Sequence, residues 1–251
     1  MQDRIQRAFW AFYSPIALAL GFAMLGLLCA LWMPFAFGLN LVLPIRQRHL
    51  IGRLAIKVGL KFYILFLQAF CGCRFNISAT TNQLEGNSGL LIANHPSLLD
   101  ALILLAIVPN TVCVMKSSLL DNPLFGASAR LAGFIRNSDP FDMIAHGKEI
   151  LGEGANLLLF PEGTRSVDGR KVNPFNSSVA ILSWKLDLPI RTFLITYDQS
   201  FLGKSNRFPA IPKLPMEISV RVGKVFVPSN DYTTKTKELE SYFNGELHEE
   251  V

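Results

Sequence analysis

Leu91-Ile-Ala-Asn-His-Pro-Ser-Leu-Leu-Asp100 is the stretch around which the rest of the chain is organised. Residues 90–93 are apolar and strand-like, Asn94 and His95 interrupt them, and an apolar, helix-like run follows over 96–107. Proline is tolerated at a first helical position because its missing amide hydrogen would have no intrahelical partner there. The spacing therefore predicts a strand, a sharp turn and a helix that begins at Pro96. His95 sits at the junction, and Asp100, about one and a half turns further on, can reach back to its imidazole. A neutral histidine that donates from one ring nitrogen to a carboxylate is fixed in tautomer and made more basic, which suits it to taking the proton of a hydroxyl. No Gly-x-Ser-x-Gly elbow occurs, so that hydroxyl is expected on a substrate rather than on a serine of this chain. The alternative is a histidine capping a helix, with an unrelated surface aspartate five residues later.

A second stretch favours the catalytic reading. Asn156-Leu-Leu-Leu-Phe160 reads as a short buried strand and runs into Pro161-Glu-Gly-Thr-Arg-Ser166, a turn with two opposite charges and a glycine. Two apolar strands that each end in a polar turn are what an open α/β sheet offers a ligand, outside the carboxyl ends of its strands.

Together the two stretches resemble the glycerolipid acyltransferase family typified by lysophosphatidic acid acyltransferase. Asn94, His95 and Asp100 match its Asn-His-x-x-x-x-Asp signature, and residues 160–165 match its Phe-Pro-Glu-Gly-Thr-Arg signature. Residues 116–126, between them, look like its Lys-x-x-Leu…Pro…Gly segment, and the likeness covers about 90–195. Three family blocks depart. Ser138-Asp139 stands where an Asp-Arg pair is usual, Phe175-Asn-Ser-Ser178 replaces Phe-Lys-x-Gly, and Pro189-Ile-Arg-Thr192 replaces Pro-Ile-Val-Pro.

The resemblance implies an α/β fold, a mixed sheet flanked by helices, behind an N-terminal membrane-associated helical hairpin. It implies transfer of a fatty acyl group from acyl-CoA or acyl-carrier protein to the free hydroxyl of lysophosphatidic acid or a related lysophospholipid, with no further cofactor and no metal. His95 would be the base and Asp100 its orienting partner. Backbone amides around Gly163 and Thr164 are expected to stabilise the oxyanion, Arg165 to grip an acceptor phosphate, and Glu162 to brace the turn or bind an acceptor hydroxyl. Lys116 and Arg136 are further phosphate candidates, with solvated surface charge as the alternative for each. The lost blocks motivate a rival reading, an acyltransferase for another lipid alcohol such as a lyso-aminolipid. A non-catalytic lipid-binding relative is the other rival, and the intact signatures argue against it.

The remaining sequence fits a membrane-bound enzyme. Half of the 251 residues are hydrophobic and the net charge is +5, which favours an anionic membrane surface over nucleic acid, for which no motif is present. The four cysteines, Cys29, Cys71, Cys73 and Cys113, lie on apolar runs without zinc-site spacing and read as reduced. No charged residue occurs over 8–45, a longer run than the ~20 residues a spanning helix needs. Pro15, Pro34 and Pro44 divide it, so the expected unit is a helix over 14–32 and then a broken apolar segment. Arg53, Lys57 and Lys61 recur every four residues and predict a helix with its basic side on the membrane surface, continuing through the apolar run 62–70. The basic residues place the catalytic part on the cytoplasmic face. The expected organisation is 1–72 as membrane-associated helices and 73–251 as the catalytic domain.

Overall fold

A computed structural model of the chain describes residues 2–79, 88–137, 140–167, 170–204 and 210–247. Ser138-Asp139, where a family block departs, lie outside the described residues.

Side chains of consecutive strand residues point to opposite faces. In β2 (Leu90–Ala93), Leu90 and Ile92 join one apolar core while Leu91 and Ala93 join another. β5 (Asn156–Leu159) divides in the same way, with Leu158 on one face and Leu157 and Leu159 on the other. Burial on both faces is why these strands are continuous apolar runs rather than alternating ones. The other strands are β1 (Cys73–Ser78), β3 (Thr111–Met115), β4 (Ile135–Arg136), β6 (Ile190–Tyr197) and β7 (Met216–Phe226). They form one seven-stranded sheet in the order β1-β7-β6-β2-β5-β3-β4. All neighbouring pairs are parallel except β6 with β7, so the sheet is mixed, and the five strands from β6 to β4 end on the same edge.

Helices cover both faces. α1 (Gln2–Val42), α2 (Ile45–Phe70) and α3 (Leu99–Ile107) lie on one. α6 (Pro140–Gly152), α7 (Ser178–Leu186) and α8 (Tyr232–Glu246) lie on the other. The short α4 (Ser117–Leu120) and α5 (Pro123–Leu131) connect β3 to β4. Asn122 caps α5 by accepting from the amides of Leu124 and Phe125.

Three expectations are corrected. The helix after β2 starts at Leu99 rather than Pro96, because the Asp100 carboxylate accepts from the Ser97 amide at 2.7 Å and the Ser97 hydroxyl from the Leu99 amide at 3.3 Å, holding 96–98 as a turn. α1 runs unbroken through Pro15 and Pro34. An internal proline removes one hydrogen bond of the ladder, and in an apolar helix this length the remaining ladder continues past it.

The third correction concerns α2. Arg53 faces inward and is buried, while the outward side carries exposed Leu50, Leu54, Val58, Phe62 and Leu65. Arg53 donates to the carboxylate of Glu153 at 2.6 Å, to the Ala132 carbonyl at 3.0 Å and to Asn110 at 3.1 Å. His49, one turn earlier, meets the other oxygen of Glu153 at 3.0 Å. The expected basic side is not uniform: Arg53 turns toward the body, where the half-buried Glu153 carboxylate meets it, and Lys57 is half-buried. Lys61 remains exposed.

Candidate active site

β2 and β5 lie side by side with Ile92 opposite Leu159. Three residues beyond that pair each strand has turned, which brings His95 beside Glu162, whose Oε1 accepts from the His95 amide at 2.8 Å. Ser166 fastens the two turns again by donating its amide to the His95 carbonyl at 2.7 Å. Asn94 completes the frame on the other flank. Its side chain donates to the Ile195 carbonyl at 2.7 Å and accepts from the Ile195 amide at 2.8 Å, as a further strand residue would.

Within this frame the His95 Nδ1 lies 2.9 Å from Oδ2 of Asp100, which is wholly buried. Phe160 stacks on the imidazole with ring centroids 4.1 Å apart. One ring nitrogen is thereby engaged and one face covered, which leaves Nε2 for a substrate. Burial pushes the Asp100 carboxyl upward, against the His95, Tyr197 and Ser97 donors that favour its anion. The structure thus brings together the predicted base and acid.

Glu162 is a brace. Besides the His95 amide it accepts from the Ser166 hydroxyl at 2.8 Å and from the Asn173 amide at 2.7 Å. Burial raises its pKa too, opposed by the same donors. Gly163 adopts φ +65°, a backbone conformation suited to glycine. Its amide donates to the Phe160 carbonyl at 3.0 Å, closing the turn, so this amide does not have the expected oxyanion role. Among the described residues no acceptor engages the Thr164 amide.

The site opens on a cavity of about 1480 Å³ that runs between the sheet end and α1, α2 and α3. Its walls are apolar over most of their length, with Leu18, Phe22, Leu25, Gly59, Leu67 and Leu102 among them, and all four cysteines, present as free thiols, face it. At the mouth stand His95, Lys116, Asn137, Thr164, Arg165, Asn176 and Ser178. Arg165 reaches the cavity, but one of its terminal nitrogens donates to the carbonyls of Leu202 and Gly203 at 2.7 and 2.8 Å. Arg136 is not brought to the site. Its guanidinium forks onto the Asp121 carboxylate at 2.7 and 3.0 Å, because it extends from an exposed strand position toward the turn that carries that acid. The sequence reading missed Tyr197, Ser97 and Asn173. None of the three is marked locally: Tyr197 meets its carboxylate partner 97 positions away.

An α/β sheet with a histidine–aspartate pair at its strand ends, facing an apolar channel, defines a class of group-transferring enzyme, and comparison gives the class its name. Residues 74–196 match the family model described as Acyltransferase, and that segment belongs to the acyltransferase family. A 1-acyl-sn-glycerol-3-phosphate acyltransferase of Helicobacter pylori is 27% identical over 170 residues, 59% of this chain and 72% of that one. The Limnanthes alba enzyme of the same description is 37% identical over 114 residues, 43% of this chain and 40% of its own length. The human enzyme described as 1-acyl-sn-glycerol-3-phosphate acyltransferase beta is 26% identical over 195 residues, 74% of this chain and 69% of that one. The crystal structure of the Thermotoga maritima acyltransferase PlsC has the same fold, with a TM-score of 0.67 at 16% identity over 98% of this chain and 96% of that one.

Proposed function

We propose that the protein is a membrane O-acyltransferase that uses an acyl thioester, of coenzyme A or of acyl-carrier protein, to acylate the free hydroxyl of lysophosphatidic acid or a related lysophospholipid. One observation carries this reading: the His95–Asp100 pair opens onto an apolar cavity deep enough for lipid chains. Nε2 of His95 takes the acceptor hydroxyl proton as the oxygen attacks the thioester carbon. The C–O bond forms and the C–S bond breaks as the tetrahedral intermediate collapses, and the proton passes from His95 to the departing thiolate. Asp100 holds the imidazole tautomer throughout. The Thr164 amide is the available oxyanion donor, and Lys116 with the uncommitted part of Arg165 would hold the acceptor phosphate.

The same proposal assigns residues 1–72 to membrane association and 73–251 to catalysis. α1 has the length and apolar composition to cross a membrane and is mostly exposed in the isolated chain. Beside it, the outward stripe of α2 from Leu50 to Leu65 would sink among acyl chains. The basic residues of the first turn of α2, Arg46 and Arg48, favour the cytoplasmic face for the catalytic part.

A second reading rests on the mouth, where Asn176 and Ser178 stand in place of the family's lysine and glycine and Arg136 is turned onto Asp121. It makes the acceptor a lipid alcohol with a less charged headgroup. The test incubates vesicles holding the full chain with radiolabelled acyl-CoA or acyl-carrier protein and a panel of lysolipids. Transfer to lysophosphatidic acid is expected, with a loss of about 10²–10⁴-fold in His95→Ala. Faster acylation of a phosphate-free lysolipid would move the function to the second reading, and undiminished turnover in His95→Ala would remove the mechanism.

A further inference from the structure

The geometry points to Tyr197 as a third member of the His95–Asp100 unit, a positioning residue that grips the carboxylate oxygen the imidazole does not use. The inference rests on the acyl-transfer reading above.

Tyr197 is the last residue of β6, two beyond Ile195, whose backbone is held on both sides by Asn94. Residues two apart on a strand share a face. The Asn94 staple therefore fixes where Tyr197 emerges, on the face that carries α3 and Asp100. Its hydroxyl donates to Oδ1 of Asp100 at 2.7 Å. Oδ2 accepts from His95 Nδ1 at 2.9 Å and from the Ser97 amide at 2.7 Å. Each oxygen of this fully buried carboxylate thus has its own donors, and rotation about the carboxyl bond would break all three contacts. A carboxylate held by His95 and Ser97 alone could pivot about Oδ2, and the imidazole would pivot with it.

Tyr197 also weights the anion. Burial and the Asp100 charge drive the phenol pKa well up, so the hydroxyl keeps its proton and remains a donor. Other titratable groups near the unit are Glu162 from the β5 turn and Cys73 from β1, with Lys116 and Arg165 at the cavity mouth. Among the described residues, the groups that touch the Asp100 carboxylate are His95, Ser97 and Tyr197. Removing the phenol hydroxyl destabilises the anionic, proton-free pair more than the net-neutral pair that has gained a proton. The pair then takes up its proton at a higher pH, and activity is lost sooner on acidification.

The test compares the wild-type chain, Tyr197→Phe and His95→Ala in the same vesicles, with kcat, KM and the pH profile of kcat/KM. Tyr197→Phe keeps the ring and its packing. It should lower kcat about tenfold or more, leave both KM values within about twofold, and move the acid limb to higher pH. 3-Fluorotyrosine at position 197, a stronger donor, should move that limb the other way. Nitrogen-15 titration of the His95 imidazole, assigned with His95→Ala, reads the same shift without turnover. An unmoved limb and an unmoved imidazole titration in Tyr197→Phe would overturn the inference, as would a raised KM with unchanged kcat, which would make Tyr197 a substrate contact. A wild-type chain inactive on every acceptor would sink the acyl-transfer reading, and the imidazole titration would still decide the place of Tyr197.

Discussion

Glu162 is a carboxylate held under cover by backbone amides and a hydroxyl, and that environment has a consequence for stability. Burial raises its folded-state pKa above the ordinary 4.5, so the folded chain binds this proton more tightly than the unfolded chain does. The linkage sign follows: the contribution is complete below the ordinary carboxyl pKa and is lost as pH rises through the raised value. Glutamine at this position does not titrate, and it presents a donor to at least one group that itself donates. Glu162→Gln should be less stable than wild type by about 1–3 kcal/mol in acid, and the gap should narrow as pH rises. Melting curves between about pH 4 and 8 would show it, and a gap that widened with pH would mean that the hydrogen bonds outweigh burial. His95, Asp100 and Glu162 were legible in the sequence because their partners lie within a few residues or in a second, equally compact motif. Tyr197 was not, since its partner is 97 positions away and nothing local distinguishes one strand-end tyrosine from another. Arg136 misled for the converse reason: a charge shows itself in a sequence and its neutralising neighbour does not.

α2 docks backbone to backbone against the end of α5. A Cβ at Gly52 would come within 2.6 Å of the Ala132 nitrogen, whereas one at Gly59, two turns later on the same helix, would meet nothing within 4 Å. Gly52→Ala should therefore push α2 off the body and cost about 1–3 kcal/mol. Gly59→Ala should be neutral or stabilising by up to about 1 kcal/mol, through better helix propensity alone. Urea or thermal unfolding of the two variants in detergent decides this, and equal effects would mean that α2 is not seated as described. The longer elements are readable in the sequence: 190–197 is an extended, largely apolar run and forms β6, and 140–152 has helical spacing and forms α6. The two-residue β4 was not, because a strand that short carries no periodicity. Nor was the direction in which α2 presents Arg53, because helical spacing tells which side chains share a side and not what that side meets.

Taken whole, the chain wraps a lipid-sized space between its sheet and its N-terminal helices. At about 1480 Å³ the cavity exceeds the ~300–1,000 Å³ of sites for drug-sized ligands, and on the proposed reading a thioester's acyl chain and part of the acceptor would share it. Gly59 lines it with open space in front. Gly59→Phe should fill that space and shift donor preference toward shorter acyl chains, read by competing thioesters of different length in one assay. An unchanged preference would place the acyl chain elsewhere. This cavity was invisible in the sequence, since its walls are the ordinary apolar residues of α1, α2 and α3 and only their assembly leaves the gap.

α1 has a further consequence. Its 41 residues extend roughly 60 Å at ~1.5 Å each, about twice the ~30 Å of a bilayer's hydrocarbon. On the membrane reading such a helix cannot stand upright. Most of its length must slant or lie along the leaflet, and the cavity that it lines from Ala17 to Phe35 would then border lipid. The acceptor would enter by lateral diffusion without passing through water. The quantity that saturates the enzyme would then be the mole fraction of lysolipid in the leaflet, and inert lipid added to the same vesicles would slow the reaction by surface dilution.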